Sequence, residues 1–298
     1  MNINDKHAFL IMVHNNKEQL INLIKLLDYA DNELYIHIDK KVHLIDDEEL
    51  LLICNHSKVH ILRTVKVAWG AYSQIKCEIA LLQEATKTKH IYYHLISGSD
   101  VPLKSNEELH RFFYENRGKE FIHFQGKKVG KSTIEHVQYY HFLQEYTNAY
   151  GLTINKLIRA TEHVFVGIQK ILKINRWDNS LELQKGANWF SITDELARFI
   201  VDKRDIIKKL FNYTLSGDEL FLQTMVINSD YKAKLYKPSF DDNYQQCARI
   251  IDWTRGKPYV FQPTDIDELS TSDSLFARKC SPELTKTIGD LMHQINKI

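Results

Sequence analysis

What the 298-residue chain lacks narrows its class before any motif is read. Lys plus Arg number 39 against 38 Asp plus Glu, so there is no overall basic field to steer the protein to a polyanion, and nucleic acid is not expected as a partner. No apolar run approaches the roughly 20 residues of a membrane helix. The first such run, at 8–13, is short and lacks the flanks of a signal peptide. The four cysteines, Cys54, Cys77, Cys247 and Cys280, are scattered and form no CxxC pair, so zinc and redox motifs are absent. A reducing cytoplasm is the simplest expectation, with the inner face of the membrane compatible as a peripheral site. Five prolines, 11 glycines and no repeat or low-complexity stretch argue against a linker or an array. What remains is an ordinary globular composition, 44% hydrophobic and 26% charged.

The first third alternates strand-like and helix-like segments. HAFLIMVH (7–14) is a continuous apolar run closed by His14, Asn15 and Asn16, the pattern of a strand buried on both faces. Leu20, Ile21, Ile24 and Leu27 then recur at helical spacing. ELYIHID (33–39), VHILR (59–63) and HIYYHLISG (90–98) read as further strands, with an amphipathic helix over 72–87. This alternation predicts βαβ units and a mainly parallel α/β sheet, in which ligands sit beyond the carboxyl ends of the strands. Those ends carry His14, Asp39 and the run Ser97 to Asp100.

Further along, a helix over 107–116 leads to a strand at 120–126. The stretch 127–180 reads as helical, basic in places and without a legible motif. GANWFSIT (186–193) regains strand character before a helix from Asp194. LSGDELFLQTM (215–225), a strand-like KLYKPSF (234–240), RGKPYVF (255–261) and SLFARK (274–279) complete the chain.

Several of these residues have chemistry to offer, each beside a plainer role. Asp39 caps loop amides or holds a ligand at a strand end. Asp100 invites a divalent-metal reading, but SGSD offers one carboxylate with Ser99 beside it, a poor oxygen set for a metal. His14, His37 and His94 lie too far apart for a ligand triad and read as structural. Trp69 and Tyr72 pack a turn or stack on a base or sugar ring. Arg255, Lys257, Arg278 and Lys279 form a solvated face or neutralise a phosphate leaving group. Ser216 and Glu219 have the spacing of a capping box, while Glu219 beside Asp218 is also a way to present a general base.

Taken in order, IMVHNN, YIHIDKK, VKVAWGAYSQIK, YYHLISGSDVPLKS, KGANWFSIT, SGDELFLQT, RGKPYVF and SLFARK resemble the core-2/I-branching glycosyltransferase family. That family holds β-1,6-N-acetylglucosaminyltransferases and, more distantly, peptide O-xylosyltransferases. The resemblance runs from about 7 to 280, interrupted mainly at 127–180. It implies one GT-A-like domain over 1–298: a nucleotide-binding half (about 1–126), a helical insertion (about 127–180) and a catalytic and acceptor half (about 181–298). It also implies a UDP-sugar donor, N-acetylglucosamine favoured, a glycan or glycolipid acceptor, inversion, and no metal or other cofactor.

The matching positions assign Glu219 as the base, Asp39 to the uridine and Lys279 to the diphosphate, with a second cation at Arg255 or Lys257. Val13 and His14 line the nucleotide pocket with Trp69 and Tyr72 nearby. Ser99, Asp100, Asn188 and Trp189 shape the sugar and acceptor pocket. Transfer of xylose, a metal-dependent enzyme using Asp100 and a non-catalytic sugar-nucleotide or glycan-binding module are the alternatives.

Overall fold

A computed structural model describes residues 5–147 and 151–295. Among them nine strands run in chain order: β1 (His7–Val13), β2 (Asn32–Ile38), β3 (Lys58–Leu62), β4 (Tyr92–Ser97), β5 (Val101–Pro102), β6 (Phe121–Ile122), β7 (Phe190–Thr193), β8 (Arg249–Ile251) and β9 (Phe276–Arg278). Six of them form the central sheet in the order β3-β2-β1-β4-β7-β6. The first four are parallel, with Phe9 of β1 opposite Leu34 of β2 and His94 of β4. β7 runs antiparallel to both β4 and β6. A small second sheet joins β5, β9 and β8.

The apolar runs are continuous because both faces of the sheet are covered. Phe9, Ile11 and Val13 pack with Leu20, Ile24, Leu109 and Phe113 on one side. Ala8 and Leu10 pack with Ile75, Leu82, Leu196 and Ile200 on the other. Each such buried Leu, Ile or Phe contributes about 1.5–3 kcal/mol relative to exposure. The expected α/β sheet flanked by helices is thus the one formed.

Polar groups inside this sandwich are paired along the sheet. His7 Nδ1 lies 2.9 Å from His94 Nε2, and His94 Nδ1 lies 2.8 Å from Ser191 Oγ. Burial holds both imidazoles well below their ordinary pKa. His37 Nε2 accepts the Val65 N–H at 3.1 Å. These strand histidines are structural, as expected. The buried Arg249 donates to the carbonyls of Leu95 at 3.1 Å, Phe190 at 2.6 Å and Cys247, so one guanidinium stitches β4, β7 and β8 together.

Some expected elements differ. The strand at 120–126 shrinks to β6. KLYKPSF is no strand; only Leu235 bridges, to Glu120. RGKPYVF contributes only the Phe261–Cys280 bridge. The stretch 127–180 is helical over Lys131–Gln138 and Leu152–Ile171.

Candidate active site

The carboxyl ends of the parallel strands open onto one face. The Val13 carbonyl accepts the Asp39 N–H at 2.9 Å, locking the end of β1 to that of β2. The Val13 side chain packs so tightly on the turn after β4 that a Cβ on Gly98 would approach it to 2.8 Å. Asp39 is buried; its carboxylate accepts the Lys41 N–H at 2.9 Å and pairs with Lys41 Nζ at 3.4 Å. Close by, the His14 pKa is lowered by partial desolvation of the ring first, and then by Lys279, Lys41 and Arg278, against the pull of Asp39. Lys279 is half-buried and makes no ion pair among the described residues. Its ammonium is depressed by burial and then by Arg278, with Asp100 opposing. A cation held in that condition favours an incoming anion.

The reversed direction of β7 builds the next part of the floor. Because β7 is antiparallel to β4, its starting end, preceded by Asn188 and Trp189, lies at the finishing end of β4. There Arg278 stacks over the Trp189 ring, 3.8 Å from its centroid, and reaches Asp100 at 2.6 Å. Asp100, expected in the sugar pocket, is turned inward instead. Its carboxylate accepts from Arg278, from the Ser97 N–H at 2.9 Å and from the Ser97 hydroxyl at 2.8 Å. Arg278 also donates to the Ser97 hydroxyl. Ser99 Oγ lies 3.1 Å from Ser97 Oγ, and its carbonyl accepts the Cys280 N–H. The Arg278 guanidinium therefore already takes one of the two Asp100 oxygens in a charge-assisted hydrogen bond. No cluster of three His, Cys, Asp or Glu suited to a metal ion occurs among the described residues.

The third part is the loop carrying Glu219. Ser216 has left-handed backbone (φ 50°, ψ 47°) and makes no side-chain cap, so the capping box does not form. Gly217–Glu219 is a short 3-10 turn, and the helix proper starts at Phe221. The Glu219 carboxylate points away from its own turn; its side chain is 42% exposed and meets Lys185 Nζ at 3.3 Å. Backbone bonds hold the loop from two directions: the Ser216 N–H donates to the Gly70 carbonyl at 2.8 Å, and the Gly186 N–H donates to the Glu219 carbonyl at 2.9 Å. Gly70 turns at φ +72°, and Trp69 beside it stands 73% exposed at this rim.

Beneath Glu219 lie two buried acids. Asp218 accepts from Gln74 at 3.0 Å, and burial, then the Glu219 charge, pushes its pKa up to about 7. Glu78 is fully buried, with neither oxygen in a hydrogen bond of good geometry; burial and then Asp218 raise its pKa, and the Asn188 side chain is its favourable neighbour. Asn188, next to Trp189, thus links the β7 end of this face to the acids beneath Glu219.

Other candidates stand apart. Tyr72 turns to a cavity of about 310 Å³ on the outer side of its helix, lined also by Lys76, Asp205 and Lys208, and burial raises its pKa to about 12. Arg255, one of the two candidates for the second diphosphate cation, is consumed by Asp252, by Asp265 at 3.2 Å and by Glu268 at 2.8 Å. Lys257 is exposed and makes no ion pair among the described residues. A larger cavity of about 560 Å³, between Phe112 and Leu275, contains neither Glu219 nor Lys279. Lys185 and Glu78 were not among the expected residues, and Arg278, expected as a surface or phosphate-neutralising cation, pairs with Asp100 instead. Glu78 was detectable as a charge on the apolar side of its helix, three residues after Ile75.

The chain is similar to several known proteins. Mouse xyloside xylosyltransferase 1 in its apo form superposes with a TM-score of 0.39 at 10% identity, covering 92% of this chain and 96% of that chain. Core-mannan synthase A from Aspergillus fumigatus gives 0.37 at 12%, covering 78% and 72%. Xylosyltransferase 2 of Rattus norvegicus is 22% identical over 96% of this chain, and the xylosyltransferase of Ciona intestinalis is 22% identical over 94%. The chain spans about a third of the length of these curated relatives, 33% in both cases. A family model for the Core-2/I-Branching enzyme matches residues 7–273. The chain therefore belongs to the Core-2/I-Branching enzyme family, a family of glycosyltransferases.

Proposed function

We propose that the protein transfers a sugar from a UDP-sugar to a hydroxyl of a glycan or glycolipid acceptor, with inversion and without a metal. Glu219 accepts the proton of the attacking hydroxyl while the new C–O bond forms on the face opposite the leaving group. The C–O bond to UDP breaks with its electron pair going to the diphosphate. Lys279 and Lys257 neutralise that charge, Asp39 holds the uridine, and Trp69, Asn188 and Trp189 shape the sugar and acceptor pocket. The observation that carries this reading is that the Glu219 carboxylate closes no cap and is instead 42% exposed beside Lys185. The metal-free mechanism is supported by Asp100, whose oxygens already accept from Arg278 and Ser97.

The family resemblance favours N-acetylglucosamine as the donor sugar. A second reading, UDP-xylose, is favoured by the names of the sequence relatives, which are xylosyltransferases. The test is transfer from each UDP-sugar to a panel of glycans in EDTA, comparing wild type with Glu219→Gln. The variant is expected to lose roughly 10²–10⁴ in kcat while melting normally, since an exposed pair such as Glu219–Lys185 is worth about 0–1 kcal/mol. Transfer by Glu219→Gln at the wild-type rate would refute the base, and activity that appears only with added Mn²⁺ would refute the metal-free mechanism.

A further inference from the structure

The helix Leu152–Ile171 is attached to the rest of the fold by its polar residues. Only Glu162 and Gln169 in it are buried. Glu162 accepts the Leu143 N–H at 3.0 Å and lies 3.3 Å from His141, while Gln169 bonds both the N–H and the carbonyl of Tyr140. The apolar residues face the other way. Ile154, Leu157, Val164, Ile168 and Ile171 follow one another at spacings that place them in one stripe. Leu157 is 67% exposed, Val164 61% and Ile171 80%. A surface helix normally buries that stripe and shows its polar side; this one does the reverse.

Its charge is as one-sided as its hydrophobicity. Between 151 and 173 stand the exposed cations Lys156, Arg159, Lys170 and Lys173, of which Lys170 pairs with Glu135 at 2.8 Å, and the one acid, Glu162, is buried. The near-neutral total of the chain hides this local excess. Spacing puts Lys156, Arg159 and Lys170 away from the apolar stripe, with Lys173 just past the helix end. No helix among the described residues is long and apolar enough to cross a membrane, so this one does not span. An apolar stripe backed by Lys and Arg is the pattern of a helix that lies in the plane of a membrane surface, held by apolar burial and by attraction to anionic lipid.

We infer that this helix docks the protein on an anionic bilayer, with the apolar stripe seated at the boundary between headgroups and acyl chains. A second copy of the chain is a poorer occupant, because pairing would bring two cationic helices together, whereas acidic headgroups compensate the charge. The inference stands independently of the transfer reaction.

The test is co-sedimentation of the full chain with vesicles made of phosphatidylglycerol and phosphatidylcholine in equal parts, and with phosphatidylcholine alone. The wild type is expected to sediment with the anionic vesicles at low salt, progressively less as salt rises, and weakly with the neutral ones. Lys156→Ala with Lys173→Ala should weaken binding by roughly fivefold per removed cation. Leu157→Glu with Val164→Glu and Ile168→Glu should abolish it, with the melting temperature and transfer to a soluble acceptor unchanged. If that triple variant misfolds, Ile168→Glu alone and the lysine pair decide. Wild type that stays in the supernatant with anionic vesicles overturns the inference, whether monomeric or a dimer closed over the stripe, and so do folded variants that sediment as wild type does.

Discussion

Replacing Arg278 by methionine keeps most of the stem that lies on Trp189 and removes the charge that meets Asp100. The carboxylate left behind is 2% exposed at its side chain and retains only the Ser97 N–H and hydroxyl as donors. Breaking a buried pair from one side costs about 3–5 kcal/mol, because an uncompensated charge remains. Asp100→Asn is the milder change. Its amide oxygen still accepts from Ser97, and the Arg278 guanidinium, 14% exposed, keeps some access to water; the expected cost is about 1–3 kcal/mol. In the double variant neither charge is stranded, so the two losses should fall short of their sum by about 1–3 kcal/mol. Urea unfolding followed by circular dichroism on the four proteins gives the cycle. If Arg278→Met lies within about 1 kcal/mol of wild type, or if the single costs simply add, the buried pair is not what holds β9 to the turn after β4.

Three further outcomes are expected. Burial keeps folded His7 and His94 well below 6.5, so below that pH the unfolded chain takes up protons that the folded one refuses. Stability is therefore retained above 6.5 and falls by about 1.4 kcal/mol per pH unit per histidine below it; a urea midpoint unchanged between about pH 7.5 and 5.5 would contradict this. Gly186→Ala would put a Cβ 1.8 Å from the His123 carbonyl oxygen directly behind Glu219, so transfer should collapse with a lower melting temperature, and a folded, fully active variant would show that the base does not depend on this support. In calorimetric titration with UDP, Lys279→Ala and Lys257→Ala should each weaken binding, while Arg255→Ala should not, because its charge is answered by Asp252, Asp265 and Glu268; equal losses from all three would remove that distinction.

Much of this architecture was legible where the signal was long. The run HAFLIMV and the spacing of Leu20, Ile24 and Leu27 carry period and length enough to mark β1 and the helix after it. β5 and β8 were not legible. One is two residues ending in proline, and the other starts with the buried Arg249, which is tolerable only because carbonyls from three separate segments converge on it. KLYKPSF has strand composition, yet only Leu235 finds a partner. At the site, Ser-x-x-Glu spacing suggested a cap, but the Gly70 carbonyl claims the Ser216 N–H and the backbone enters a left-handed turn. Spacing reads Arg278 as a surface or phosphate-neutralising cation because it cannot reveal that Asp100, so far away in sequence, is its partner.

The pairing of β6 with β7 has a consequence for how the protein could diversify. Ile122 faces Phe190 and Phe121 faces Ser191, so the whole excursion from 123 to 189 leaves and rejoins the sheet at a single point. It is, topologically, a very long hairpin loop. The entropic cost of such a loop grows only with the logarithm of its length, about 0.6 kcal/mol per doubling. Outside its packed positions this excursion can therefore be rewritten, lengthened or pruned with little effect on the sheet, provided that Phe124, Val137 and Leu183 keep their places in the core and that Lys185, Gly186, Asn188 and Trp189 return beside Glu219 and Arg278.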